Sequence, residues 1–281
     1  MQPITSSRPA LAVTIPVYNH AALLPRALDA LLSQSRLPDE LIVLDDGSTD
    51  TTWAVIQDYA SRHALIRPVR NERNLGTVHG LNKLLQLANC QYVYCAAADD
   101  YVLPGFFDGA MRLAEAHPEA GLIFGGVNYH SPTDNQTSAF LHSTWREELY
   151  ATPERVLSQW LRQLPVDHSF SAATIFRLGA LKEVGGFRPE LGAYSDAFAV
   201  QAIALKYGAC YMPGAYGVFT IDRHGYWGRT ASNFPLIMGI IDRAARLMTS
   251  PEFSDRFPRD YVVWWSREYR RSRVRSEVAH C

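Results

Sequence analysis

The 281-residue chain is poor in several features that would assign it quickly to a class. Its four cysteines, Cys90, Cys95, Cys210 and Cys281, include no CxxC pair. That excludes a small disulfide framework and a cysteine-based structural zinc, and it suits a reducing compartment. No run approaches the roughly 18–20 apolar residues of a spanning helix. The opening MQPITSSRPALAVTIPVYN has one arginine before a short apolar run broken by Pro16, without the long apolar stretch or cleavage site of a signal peptide. The expectation is a soluble, cytoplasmic protein. Charge of one sign is also missing: formal net charge is −1, so nothing global draws the chain to nucleic acid. No GxGxxG follows the first apolar run, which argues against a dinucleotide-dependent oxidoreductase. There is no internal repeat and no low-complexity tract. Hydrophobic residues, at 47%, are plentiful enough for a full core.

What is present is an alternation. Short apolar runs at Leu11–Ile15, Leu41–Leu44, Leu65–Val69, Tyr92–Ala97 and Leu122–Val127 read as strands. Between them, Ala21–Gln34, a stretch ending near Arg62, Thr77–Ala88 and Gly105–His117 carry apolar residues at helical spacing. Strict alternation predicts an α/β fold, a parallel sheet with helices on both faces. After Tyr129 the pattern changes. Residues 131–143 are polar and loop-like. Thr152–Leu164 reads as a helix with Thr152 as cap and Pro153 in the first position. Ala172–Phe176 reads as a strand, Leu178–Val184 as a helical turn closed by Gly185-Gly186, Ser195–Tyr207 as a helix ending at Gly208, and Leu236–Met248 as an amphipathic helix.

Two aspartate pairs carry the chemistry. Asp45-Asp46 and Asp99-Asp100 each follow an apolar run directly. In an open parallel sheet ligands bind outside the carboxyl ends of the strands, so both pairs belong on one rim. Four carboxylates there repel one another unless a cation or hydrogen-bond donors sit among them. A divalent metal bridging phosphates, and the ring N–H of a nucleobase, would meet that need. Tyr18, just past Pro16, offers a flat face to a base. Asp46, beside Gly47, is expected to shape its own turn. Asp196 begins a helix, where capping is the plain alternative to catalysis. His224 could ligate a metal through one nitrogen, and Arg223 or Arg229 could contact phosphate. The tail from Tyr261 mixes Trp264, Trp265 and Tyr269 with five arginines between Arg267 and Arg275. It suits either an anionic lipid surface or a terminal helix with its tryptophans on the domain.

The segments TIPVYNHAALLPRALDALLSQSRLPDELIVLDDGSTD, RNLGTVHGLN, AAADDYVLP, GGFRPELGAYSD and DRHGYWGRTAS follow one another across residues 11–232. In order and spacing they resemble glycosyltransferase family 2, the inverting, nucleotide-sugar-dependent enzymes of GT-A fold. The resemblance implies a mostly parallel, Rossmann-like sheet with a C-terminal acceptor-binding extension. It divides the chain into a nucleotide-sugar-binding half (1–127), an acceptor and catalytic half (128–235) and a helical extension (236–281). It implies that Pro16, Tyr18 and Asn19 hold the base, that Asp45 reads it, and that Asn74 and Gly76 lie beside the diphosphate. Asp99, Asp100 and His224 would hold Mg²⁺ or Mn²⁺, with Asp99 also on the nucleotide, and Asp196 would be the general base.

Three positions depart from the family pattern. Ala97 replaces the first acid of a D-x-D-D run. Leu81 replaces a common arginine, with Arg73, His79 or Lys83 as stand-ins. Ser195 replaces a glutamate. The implied activity is sugar transfer from a nucleoside-diphosphate sugar, UDP-sugars favoured, to a hydroxyl of a glycan or glycolipid, in cell-surface polysaccharide synthesis. Peripheral contact with the inner membrane face through the Arg/Trp tail goes with such an acceptor. The alternatives are a non-catalytic sugar-nucleotide-binding protein of the same fold and a sugar nucleotidyltransferase. The second would want a Gly-rich phosphate loop where this chain has PVYNHAALLP.

Overall fold

The structure is a computed structural model that describes residues 8–132, 136–140, 145–163, 171–222 and 225–278. Its first half follows the alternation. Strand β1 (Leu11–Val17) leads to α1 (Leu24–Leu32), β2 (Glu40–Asp45), α2 (Thr52–Arg62), β3 (Ile66–Arg70), α3 (Thr77–Leu87) and β4 (Tyr92–Cys95). These four strands are parallel, in the spatial order β3-β2-β1-β4. β1 is central and buried on both faces, which is why its sequence is a continuous apolar run. Leu11, Val13 and Ile15 pack with α1, α2 and the later helix α4 (Phe106–Ala116) on one face. Ala12 packs on the other face. Pro16 lies inside β1. The Thr14 carbonyl faces β4, accepting from Ala96 N at 2.8 Å, and by alternation residue 16 faces the same side, past the last paired residue of β4. No ladder bond is lost there.

The second half does not extend the sheet in parallel. After the short β5 (Tyr101–Val102) and α4 come β6 (Leu122–Ser131), β7 (Gln136–Phe140) and β8 (Leu149–Ala151). Next are α5 (Pro153–Val156), β9 (Thr174–Arg177), α6 (Leu178–Glu183), α7 (Ser195–Tyr207) and β10 (Ala209–Thr220). β9 inserts antiparallel between β4 and β6, and β10 runs parallel to β6, giving the order β4-β9-β6-β10-β5. The sheet is thus mostly parallel in its first half, as expected, and the alternation gave no sign of the antiparallel β9 within it. The period of a strand reports its burial and not its direction. β9 carries Thr174, Ile175 and Phe176, all buried, and fits inside the sheet either way. β6 crosses the expected boundary after residue 127, so the two halves share one sheet.

The cap at Thr152 is as expected: its hydroxyl accepts from Arg155 N at 3.4 Å. The helix then widens into a π-turn at Leu157–Leu161, which sets Trp160 against Phe124 with ring centroids 4.1 Å apart. The chain ends in α8 (Tyr226–Ala231), α9 (Phe234–Met248) and α10 (Arg259–Val278). α9 and α10 join α7 in the larger core, where Tyr261, Trp265 and Tyr269 are buried. The tail is thus a packed helix with Trp265 inside. Among the described residues no helix is long and apolar enough to cross a membrane.

Candidate active site at the carboxyl rim

Because β1, β2 and β3 are parallel neighbours, the residues after each strand meet on one rim. Asp45, the last residue of β2, is fully buried. Its Oδ1 accepts from Ser48 N at 2.9 Å, and its Oδ2 lies 2.9 Å from Arg70 Nε at the end of β3. The Arg70 guanidinium in turn covers the Trp53 ring at 5.2 Å. Asn19 has a φ of 54° and works as a latch. Its N–H donates to Ser48 Oγ at 2.9 Å, while its Oδ1 accepts from Thr49 N at 2.9 Å and Asp50 N at 3.4 Å. Tyr18 beside it is 40% exposed, which leaves its ring open to a ligand.

Asp46 does not shape its own turn, which corrects the expectation for it. Its carboxylate reaches across to the β3–α3 loop, accepting from Asn71 Nδ2 at 2.6 Å, Leu75 N at 3.0 Å and Gly76 N at 2.9 Å. The cause is the closeness of that loop. A Cβ on Gly47, whose φ is +71°, would lie 2.6 Å from the Arg73 carbonyl carbon. Asn74 Oδ1 accepts from Gly76 N at 2.8 Å, closing the turn that opens α3. Of the stand-ins for the missing arginine, Lys83 is committed to Asn71 Oδ1 at 2.5 Å. Arg73 and His79 are exposed on this lip.

The second pair follows β4. Asp100 is buried, and its Oδ1 accepts from Thr220 N at 2.8 Å at the end of β10. Burial first, and the neighbouring Asp99 second, hold its carboxyl well above the usual range. The Asp99 carbonyl accepts from Arg26 Nη2 and from Thr220 Oγ1, both at 2.6 Å. Arg26 also lies over the Tyr101 ring at 4.6 Å. Asp100 therefore ties the loop to β10, while the Asp99 carboxylate takes no hydrogen bond among the described residues. His224 and Arg223 lie outside the described residues. Among those described, no three His, Cys, Asp or Glu side chains form a metal cluster. Two hard carboxylate donors do fit Mg²⁺ or Mn²⁺ where substrate phosphates complete the shell.

Asp196 lies in the first turn of α7. The cap position falls to Tyr194, whose side chain makes no cap bond, while Asp196 Oδ1 accepts from Ala197 N at 2.7 Å and so meets a first-turn N–H from one position further in. Burial pushes the Asp196 carboxyl up to about 6. Its charge acts on Cys95 at the end of β4 and on Tyr226 at the start of α8, both of which are raised first by their own burial. The same rim thus holds the two pairs and Asp196. Sequence reasoning missed Arg26, Arg70, Thr220 and Tyr226. Arg70 ends a strand and the rim rule could have found it. Arg26 occupies the exposed side of an ordinary amphipathic helix, where no pattern marks it.

Residues 12–184 match the sequence model of the family described as "Glycosyl transferase family 2". An uncharacterised protein of Mycobacterium tuberculosis is 24% identical over 93% of this chain and 83% of its own length. A Mycobacterium bovis protein is 30% identical over 47% of this chain and 39% of its own length, so the chain spans well under half of that relative. An uncharacterised glycosyltransferase of Mycoplasma pneumoniae is 35% identical over 34% of this chain and 33% of its own. Among solved structures, S. aureus TarS 1–349 superposes with a TM-score of 0.70 at 17% identity, covering 92% of this chain and 71% of that one. A mannosyltransferase from Pyrobaculum calidifontis, in complex with GDP-Man and Mn²⁺, superposes with a TM-score of 0.62 at 21% identity, covering 98% and 76%. These likenesses show the GT-A fold.

Proposed function

The chain belongs to glycosyl transferase family 2, and from that premise we propose that it moves a sugar from a nucleoside-diphosphate sugar to an acceptor hydroxyl with inversion at the anomeric carbon. The observation that carries this reading is Asp196: a buried carboxylate in the first turn of α7, on the same rim as both aspartate pairs, whose burial raises it to about 6. A general base works best with a pKa near the operating pH. Asp196 takes the proton of the acceptor hydroxyl, whose oxygen attacks the anomeric carbon from the face opposite the diphosphate. The anomeric C–O bond to the diphosphate breaks, and the diphosphate leaves with that electron pair. Asp99 is the carboxylate of its pair suited to a metal, with Asp100 anchoring the loop and contributing its second oxygen. A bound divalent ion would supply charge neutralisation to the leaving diphosphate.

The base belongs between Tyr18 and the Asp45–Arg70 pair. TarS has been solved with UDP-GlcNAc and with UDP, and the P. calidifontis enzyme with GDP-Man. Uracil and guanine both present a ring N–H, which Asp45 can accept, while adenine and cytosine do not. Asp45 is fully buried and Arg70 is 44% exposed, so the base would meet the pair on the side of Asp45 that Arg70 covers. The acceptor we assign is a glycan or glycolipid of surface polysaccharide synthesis, at the cytoplasmic face. With Trp265 and Tyr269 inside, Val263, Arg267 and Arg271 are among the α10 residues exposed for an anionic surface.

Thermal shift with UDP, GDP, dTDP, ADP and CDP, each with and without Mn²⁺, tests the donor reading. A ligand that prefers the native state raises apparent stability by mass action. Uridine or guanosine diphosphate should stabilise, and more so with Mn²⁺. A flat response to every nucleotide would sink the proposal. Donor binding without any transfer or hydrolysis would favour the non-catalytic alternative.

A further inference from the structure

We infer that α10 is a positioning element for the base, acting through a buried hydrogen-bonded chain of Tyr194, Gln201 and Tyr261. This rests on the reading of Asp196 as base. Asp196 is delivered by the short 3₁₀ segment Pro189–Tyr194, whose backbone breaks at Gly192 with φ 53° and ψ −127°. Such a segment has little regular structure of its own to fix it, and the structure supplies the fixing from outside. Tyr194, two residues before the base, is buried, and its hydroxyl accepts from Gln201 Nε2 at 2.7 Å. Gln201 lies on α7 seven residues further on, two turns along the same helix face. Its Oε1 accepts from the Tyr261 hydroxyl at 3.0 Å, and Tyr261 is fully buried on α10. Both ends of one buried amide are thus used, one on the base segment and one on the terminal helix. The Tyr194 ring is held between Trp265, at 5.4 Å, and Tyr269, at 5.5 Å. From α9, Arg243 Nε donates to the Glu190 carbonyl at 2.7 Å.

Apolar side chains at 194, 201 and 261 would fill the same space without polar partners. A buried polar chain differs in that each member must keep its partner, so it holds one arrangement and penalises the others. Here the arrangement selected is the seat of the segment that carries Asp196. All three residues lie beyond the 12–184 family match, so the support is built from the C-terminal part of the chain.

The test uses Tyr261→Phe, Tyr194→Phe and the double variant, each of which keeps its ring and removes only a hydroxyl. Turnover is read as nucleoside diphosphate released from UDP-GlcNAc and GDP-mannose with water as acceptor, donor affinity by calorimetry, and local opening by amide hydrogen exchange. Each single variant should lose on the order of 10- to 100-fold in kcat, the scale of a small misplacement of a catalytic group. The double variant should lose no more than the worse single one. Donor Kd should stay unchanged. Exchange should rise over residues 190–197 and not in β1–β4. Wild-type kcat in both single variants at a temperature where they remain folded, or unchanged exchange over 190–197, would overturn the inference. Asp196→Asn in the same assay separates the two layers. If it turns over at wild-type rate, the assignment of the base fails. If it is inactive while the tyrosine variants are fully active, only the positioning role fails.

Discussion

On the side of the rim that carries Asp45 and Asp46, each loop is held within itself or to the next by side chains that reach backbone. Asp45 holds Ser48 N, Asp46 holds Leu75 N and Gly76 N, and Asn19 holds Thr49 N. On the base side the segment before Asp196 is held mainly by packing against helices from the end of the chain, with one buried amide between two tyrosines. The Asp45–Asp46 side places its groups with short polar bonds within and between loops that leave adjacent parallel strands. The base side has no such strand neighbours and depends on rings that approach from 60 residues away or more. The rim around Asp45 and Asp46 is therefore fixed close to its own strands, while the segment before Asp196 rests on support that is tertiary.

The sharpest way to break this contrast is Asp196→Asn. Loss of a general base should lower kcat by about 10²- to 10⁴-fold while donor affinity stays put. Stability at pH 7 should hold or rise slightly, because a buried carboxylate raised to about 6 is disfavoured when charged. Wild-type turnover would remove Asp196 from the chemistry. Asp46→Ala tests the opposite kind of residue. It strips the carboxylate from three donors at once, and urea denaturation should show a loss of about 2–4 kcal/mol. A loss below about 0.5 kcal/mol would mean that the loop stands without it. Nucleotide choice comes next. UDP, dTDP and GDP should bind about ten- to a hundredfold tighter than ADP and CDP, the cost of one unmade hydrogen bond to a charged acceptor. Competition in which ADP matches all three would count against Asp45 as the reader.

The smallest effect is in the pH profile. With the base raised to about 6, kcat/KM should fall about tenfold per pH unit below that value and level off above it. The sign for stability is opposite. The charged form is the penalised one, so the contribution of this group is fully present below about pH 4 and is lost as pH rises through about 6. At pH 5 the enzyme should thus be slow without this group having destabilised it, and circular dichroism beside the rate measurement checks that. An acid limb near 4 would mean that Asp196 titrates as an ordinary carboxylate.

Period and residue type were enough for much of this. The runs Leu11–Ile15 and Leu41–Leu44 read as buried strands and are strands, and the helix Ser195–Tyr207 ends at Gly208 as its pattern indicates. The placement of both aspartate pairs on one rim followed from strand ends alone, because every strand of a parallel α/β sheet points its carboxyl end the same way. Direction and partnership were beyond the sequence. β9 runs antiparallel between β4 and β6, and the sequence does not show it because Thr174, Ile175 and Phe176 are all buried, which periodicity records identically for either direction. Asp46 and Asp100 look like free acids in sequence and are anchors in the fold, each held by backbone N–H groups of a segment 29 to 120 residues away. Trp265 and Tyr269 leave membrane contact open as a second reading until the core shows where they pack. Local pattern determined which elements form and which rim bears the acids. Only the tertiary structure decided which acids are spent on the fold and which remain for chemistry, because a carboxylate's role is set by the donors that reach it, and those come from distant parts of the chain.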